Sequence, residues 1–113
     1  MTSRLTSKLL ASALIRLTQQ ANGFAAVLNK GDESAGAILV LSTQNGRVSG
    51  LWERNFAPTG TYAWNAVGPQ DIENSDETTR YIERRRQNDP DLWVIELDIP
   101  DATQLTAVLE AAR

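Results

Sequence analysis

Acidic side chains at two places carry most of the chemistry that this chain's composition permits. Asp32 and Glu33 stand side by side between Gly31 and Gly36, while Asp89 and Asp91 flank Pro90 just before Trp93. Carboxylates spaced this way could hold a divalent cation through oxygen ligands, or work as a general acid/base pair. The chain has no histidine and no cysteine. Imidazole bases, imidazole zinc ligands, thiolate nucleophiles and disulfides are therefore excluded. Any catalysis falls to Asp, Glu, Lys, Arg, Ser or Tyr, which lowers the expectation of an enzyme without removing it.

Each acidic pair also has a plain structural reading, and in both cases that reading is the stronger. The run Lys30–Gly36 suits a hairpin turn with solvent-facing acids, its glycines relieving φ strain. It does not contain the Gly-x-x-x-x-Gly-Lys-Ser/Thr pattern of a phosphate loop. At the second place, Asp89 can end a helix, Pro90 block its continuation and Asp91 make an Asx-type turn. Trp93 then anchors a strand by burying a large ring.

Two further groups could bind partners. Arg80, Arg84, Arg85 and Arg86 could contact phosphate or RNA, but Asp76, Glu77, Glu83 and Asp89 balance them in the same segment. Successive helical residues point about 100° apart, so Arg84, Arg85 and Arg86 form no compact cluster. Arg80 and Arg84 do share a face, with Glu77 in pairing reach of Arg80, and a solvated helix surface is preferred. Tyr62 and Trp64 fall on one strand face, with Trp52 a candidate neighbour across a hairpin. Left open, such a face marks a partner site; covered by a helix, it is core. With three helices available for one sheet, core is preferred.

The elements that must position these residues follow from periodicity. Leu5, Leu9, Leu10, Ala13, Leu14 and Leu17 make a helical stripe, with Ser3 or Thr6 as cap and Asn22-Gly23 as a left-handed stop. Four strand-like runs follow: 24–28, 37–41, 47–54 and 62–67. The continuously apolar 37–41 suggests a central strand covered on both faces. Asn45-Gly46 is a hairpin turn. Connections this short suit an antiparallel meander. Asn74 and Glu77 form a capping box for a helix running to about Asn88. Residues 92–98 read as a strand with Trp93, Ile95 and Leu97 on one face. Asp101 caps a last helix whose inner stripe is Leu105, Val108, Leu109 and Ala112.

At 113 residues and 42% hydrophobic, the chain fits one domain with a real core. The net charge of −3 is uneven, since residues 1–30 carry four bases and no acid while the remainder carries seven bases and fourteen acids. The balance disfavours nucleic acid, and the asymmetry suits docking of the first helix on the rest or head-to-tail association. No apolar run is long enough to span a bilayer. The acid-free N-terminus also reads like an organellar presequence, but a native helix of a cytosolic protein is preferred.

The run Gly31–Val40 and the run Asp89-Pro90-Asp91-Leu92-Trp93-Val94-Ile95-Glu96 resemble the DUF1491 family of small alphaproteobacterial proteins. The spacing of the N-terminal helix, Gly23-Phe24-Ala25-Ala26-Val27 and the arginine-bearing helix matches as well. The resemblance implies a bacterial cytosolic protein and supplies no catalytic residue.

The expected architecture is a single α+β domain over residues 1–113, an antiparallel β-meander with N-terminal, middle and C-terminal helices, ordered α-β-β-β-β-α-β-α. The favoured function is a non-enzymatic protein-interaction domain, with a homodimer as one form and no cofactor, metal or membrane. Two alternatives stand beside it: a small-molecule or metal-dependent enzyme using Asp32, Glu33, Asp89 and Asp91, and a phosphate- or RNA-contacting accessory using Arg80, Arg84 and Arg85.

Overall fold

The elements of the computed structural model, which describes residues 5–69 and 74–113, come in the expected order: α1 (Ser7–Gln20), β1 (Phe24–Asn29), β2 (Ile38–Gln44), β3 (Arg47–Phe56), β4 (Tyr62–Ala66), α2 (Ser75–Asn88), β5 (Trp93–Asp98) and α3 (Ala102–Ala111). Local chemistry sets the boundaries. Thr6 Oγ1 accepts from the Leu9 amide and caps α1; Ser3, the other candidate cap, lies outside the described residues. Asn22, at φ 61°, stops α1 in the left-handed region. Asn74 Oδ1 accepts from the Asp76 and Glu77 amides, and Asp101 Oδ1 from Thr103 and Gln104, so α2 and α3 are capped as expected. Asn45 and Gly46, at φ 53° and 84°, make the tight turn between β2 and β3.

The sheet order is β1-β5-β2-β3-β4. β2, β3 and β4 form the antiparallel meander, with Val40 opposite Trp52 and Arg54 opposite Trp64. The meander does not extend to β1, because β5 inserts between β1 and β2, antiparallel to the first and parallel to the second. The long path from β4 through α2 supplies the crossover that a parallel pair requires. It also explains two uninterrupted apolar runs, since Leu39, Val40, Val94 and Ile95 lie on central strands buried from both sides.

α1 and α3 cover one face of the sheet. Leu10, Ala11 and Leu14 meet Ile38, Val40, Trp93, Ile95 and Leu97 there, closed off by Leu105, Val108, Leu109 and Ala112. The inner stripe of α1 is rotated from the expected one: Ser7, Leu10, Ala11, Leu14 and Thr18 are buried, and Leu5 and Leu9 are exposed. Ser7 turns inward because its hydroxyl donates to the Gly36 carbonyl at 2.6 Å, which fixes the helix's rotation at its first turn. On the opposite face α2 covers a smaller cluster of Leu39, Leu51, Leu92 and Val94, with Tyr81 and Ile82 against it. Among the described residues, no helix is long and apolar enough to cross a membrane.

Candidate functional site

The two acidic segments meet. The loop from Lys30 to Ala37 joins two strands that are not neighbours, so it must pass over the start of β5. There the Asp32 amide donates to the Asp91 carbonyl at 3.1 Å, and Trp93 Nε1 donates to the Asp32 carbonyl at 2.7 Å. The segment is thus a bridge rather than a hairpin turn, and its glycines serve close approach rather than unusual φ. A Cβ on Gly31 or Gly36 would fall 2.1 Å from the Asp91 carbonyl oxygen. Two glycines on one strand entry and a Trp ring on the other account physically for the pairing of the two motifs.

The carboxylates themselves are employed locally. Asp32 Oδ2 accepts from the Ser34 and Ala35 amides, and Glu33 lies 3.7 Å from Lys8 across to α1. The Asx turn belongs to Asp89 rather than Asp91, because Asp89 Oδ1 accepts from the Asp91 amide. Asp89 also closes α2, its amide donating to the Arg85 carbonyl. Asp91 is exposed and contributes its backbone carbonyl. Among the described residues, no three acids converge in a way that could hold a metal ion.

On α2, Arg80 and Arg84 are exposed and line a cavity of 430 Å³ with Glu77, Tyr81, Gly68 and Pro69. Arg80 Nε donates to the Asp76 carbonyl one turn earlier, at 3.4 Å. Arg85 does something different. Mostly buried, it forms an ion pair with Glu53 of β3 and donates to the Tyr81 hydroxyl, and the Glu53 hydrogen bond raises its pKa above the usual arginine range.

The aromatic strand face points toward α1 and α3. Trp64 packs on the main core and its Nε1 donates to the Ala112 carbonyl at the end of α3, 3.3 Å away. Trp52 joins the same core two pairs further along, opposite Ala66, with Nε1 donating to Ser42 Oγ. Tyr62, nearer the open end, is half-buried and meets Phe56 edge-on, ring centres 5.0 Å apart.

One residue of this surface escaped sequence reasoning. Arg54 lies opposite Trp64 with its Cζ 3.7 Å from the centre of the Tyr62 ring. Burial lowers its pKa from the ordinary arginine value, and Tyr62 offsets part of that shift. The signal was parity: Arg54 shares the side of Trp52, the helix-covered side, where a cation is out of place.

Comparison with known proteins agrees with this fold. The model of the family described as "Protein of unknown function (DUF1491)" matches residues 5–107. No curated protein matches the chain. A crystal structure of a DUF1491 family protein from Caulobacter crescentus CB15 is similar at 30% identity, with a TM-score of 0.76 over 87% of this chain and 91% of that one. The NMR structure of a DUF1491 family protein from the same organism gives 0.74 at 30% identity, covering 88% and 90%. The solution structure of protein Atu0922 from A. tumefaciens gives 0.71 at 34% identity, covering 91% and 92%. With its sequence matched nearly end to end and its sheet and helices shared, the chain belongs to the DUF1491 family.

Proposed function

We propose that this domain is a non-enzymatic interaction module working through the outer edge of β1, with a second copy of the chain as its partner. The observation that carries the reading is the character of that edge. β1 borders the sheet, and its sequence Phe24-Ala25-Ala26-Val27-Leu28-Asn29 contains no charge and no proline. Phe24, Leu28 and Val27 are 64%, 49% and 42% exposed. Sheet edges are ordinarily blunted by charge, proline, a bulge or a covering element, because unpaired amides and carbonyls invite another strand. β1 carries a bulge at Leu28 near its end but neither charge nor proline. An antiparallel β1–β1 pairing about a two-fold axis is self-complementary and would join two sheets into one. The local duties of Asp32 and Asp89 support the non-enzymatic part, and a bacterial cytosolic setting completes the proposal.

Sedimentation velocity over a range of about 1 μM to 1 mM tests it, because self-association must follow mass action. The expected result is a concentration-dependent dimer that Val27→Lys converts to monomer, since a lysine there removes apolar contact and adds like charge across the axis. A wild-type protein that stays monomeric throughout, or a dimer that Val27→Lys leaves intact, overturns the reading.

A further inference from the structure

β3 sends two successive charged side chains to opposite faces of the sheet, and they meet different fates. Glu53 pairs with Arg85 of α2, whereas Arg54 lies on the α1 side against Tyr62. Among the described residues no carboxylate stands within ion-pair distance of Arg54, and its Nε is buried with no hydrogen-bond acceptor. An Nε–H that has shed water without gaining an acceptor is costly, and arginine does not escape the cost by losing its proton; the rest of the partly exposed guanidinium rests on Tyr62.

That side chain borders a cavity of 270 Å³, between the first turn of α1 and the stretch that enters β2. Leu5, Leu10 and Ile38 form its apolar wall, and the Tyr62 ring forms another. The volume falls just short of the ligand-pocket range, which begins at about 300 Å³, so the site suits a small ligand. The α1 terminus contributes field rather than hydrogen bonds: the Ser7 and Lys8 amides donate to the Ser34 and Glu33 carbonyls, and Leu9 to Thr6 Oγ1. Lys8 already faces Glu33. Thr6, Ser7 and Ser34 make the rest of the lining polar, and one guanidinium is the charged group on it among the described residues.

We propose that the Arg54–Tyr62 cavity is a binding site for a small carboxylate carrying an apolar body. The charge and shape of the walls select that class. A guanidinium fork matches the two oxygens of a carboxylate, while a phosphate monoester brings nearly two charges and three acceptor oxygens that one arginine cannot satisfy. Leu5, Leu10 and Ile38 then receive the apolar body, and the bound anion pairs with the one charged side chain of the lining. The site is distinct from the β1 edge and stands whatever the sedimentation result.

Two-dimensional amide spectra of the full chain, with the Arg54 Nε–H resonance, test the site using sodium phenylacetate as the probe. Phenylacetate is expected to shift Thr6–Leu10, Ser34–Ile38 and the Arg54 Nε–H along one saturable curve. Phenylacetamide, the same shape without charge, and inorganic phosphate, the charge without the apolar body, should bind at least about tenfold more weakly. Arg54→Met should weaken phenylacetate by a similar factor while amides of β1 and α2 stay in place. If the variant does not fold, the acid-against-amide comparison on the wild-type chain still decides. No saturable shift with phenylacetate, equal binding of the amide or of phosphate, or unchanged binding to a folded Arg54→Met protein would overturn the proposal.

Discussion

On one face of the sheet, α1 and α3 join the strands in a cluster of thirteen buried apolar residues, Trp93, Ile95 and Leu14 among them. On the other, the buried cluster under α2 is, among the described residues, Leu39, Leu51, Leu92 and Val94, and Thr78 is the one buried residue of α2 itself. Burial of apolar area is the large, non-directional term in folding, so the first face carries most of the stability. α2 is instead fastened by direction: an Asn74 cap, the Glu53–Arg85 ion pair and the turn at Asp89. Its topological work is to carry the chain from the β4 edge back to the centre of the sheet. One helix pair makes the domain stable, and the third makes its strand order reachable.

Substitutions can break or sharpen that contrast. Trp93→Ala, on the heavily covered face, should cost about 3–5 kcal/mol in urea unfolding, through lost ring burial and the lost bond to the Asp32 carbonyl. Gly36→Ala strikes the junction rather than a face. Its new methyl must displace the Asp91 carbonyl, and an overpacking cost of about 1–3 kcal/mol is expected by the same measurement. Glu53→Gln removes the ion pair that holds α2. Both partners are mostly but not wholly buried, so about 1–2 kcal/mol is expected, between the exposed and buried cases. Hydrogen exchange should then speed up in α2 and not in α1. Because pairing with the Glu53 carboxylate raises the Arg85 pKa, deprotonation of Arg85 removes that benefit only as pH rises beyond the unfolded arginine value and through the higher folded one. Replacing Arg80 or Arg84 by alanine should change stability by under about 0.5 kcal/mol, as exposed positions do. A loss from Glu53→Gln exceeding that from Trp93→Ala would reverse the ranking of the two faces.

Element order was legible because caps, turns and stripes are local: Asn45-Gly46, Asn74, Asp101 and the Leu105–Ala112 stripe each act within a few residues. Strand neighbours were not. An unbroken apolar run announces burial on both sides, as in Leu92–Ile95, but does not say which strand lies beside it. The rotation of α1 was hidden for a related reason, since the Ser7 hydroxyl answers to Gly36, a residue from a distant loop. In the candidate site, Asp32 and Asp89 were visible as acids, but their use as turn acceptors was not: the Asx turn reads as readily at Asp91, and the backbone path alone gives it to Asp89. Arg54 was overlooked because a cation beside Trp52 reads as surface until the helices show which side of β3 they cover.

The seat of β5 between β1 and β2 has a consequence in time. As the chain leaves the ribosome, the β2–β4 meander can pair early, while β1 waits for a neighbour encoded some seventy residues later. Until Trp93–Asp98 emerge, β1 and one side of β2 present open apolar edges, the kind of surface that aggregates or recruits chaperones. Arrival of β5 fills the gap from both sides at once, and the Asp91 carbonyl seats under Gly31 and Gly36 as it does so. The slow, long-range closure of that slot should therefore set the folding rate, and the glycine-lined bridge is the latch that ends it.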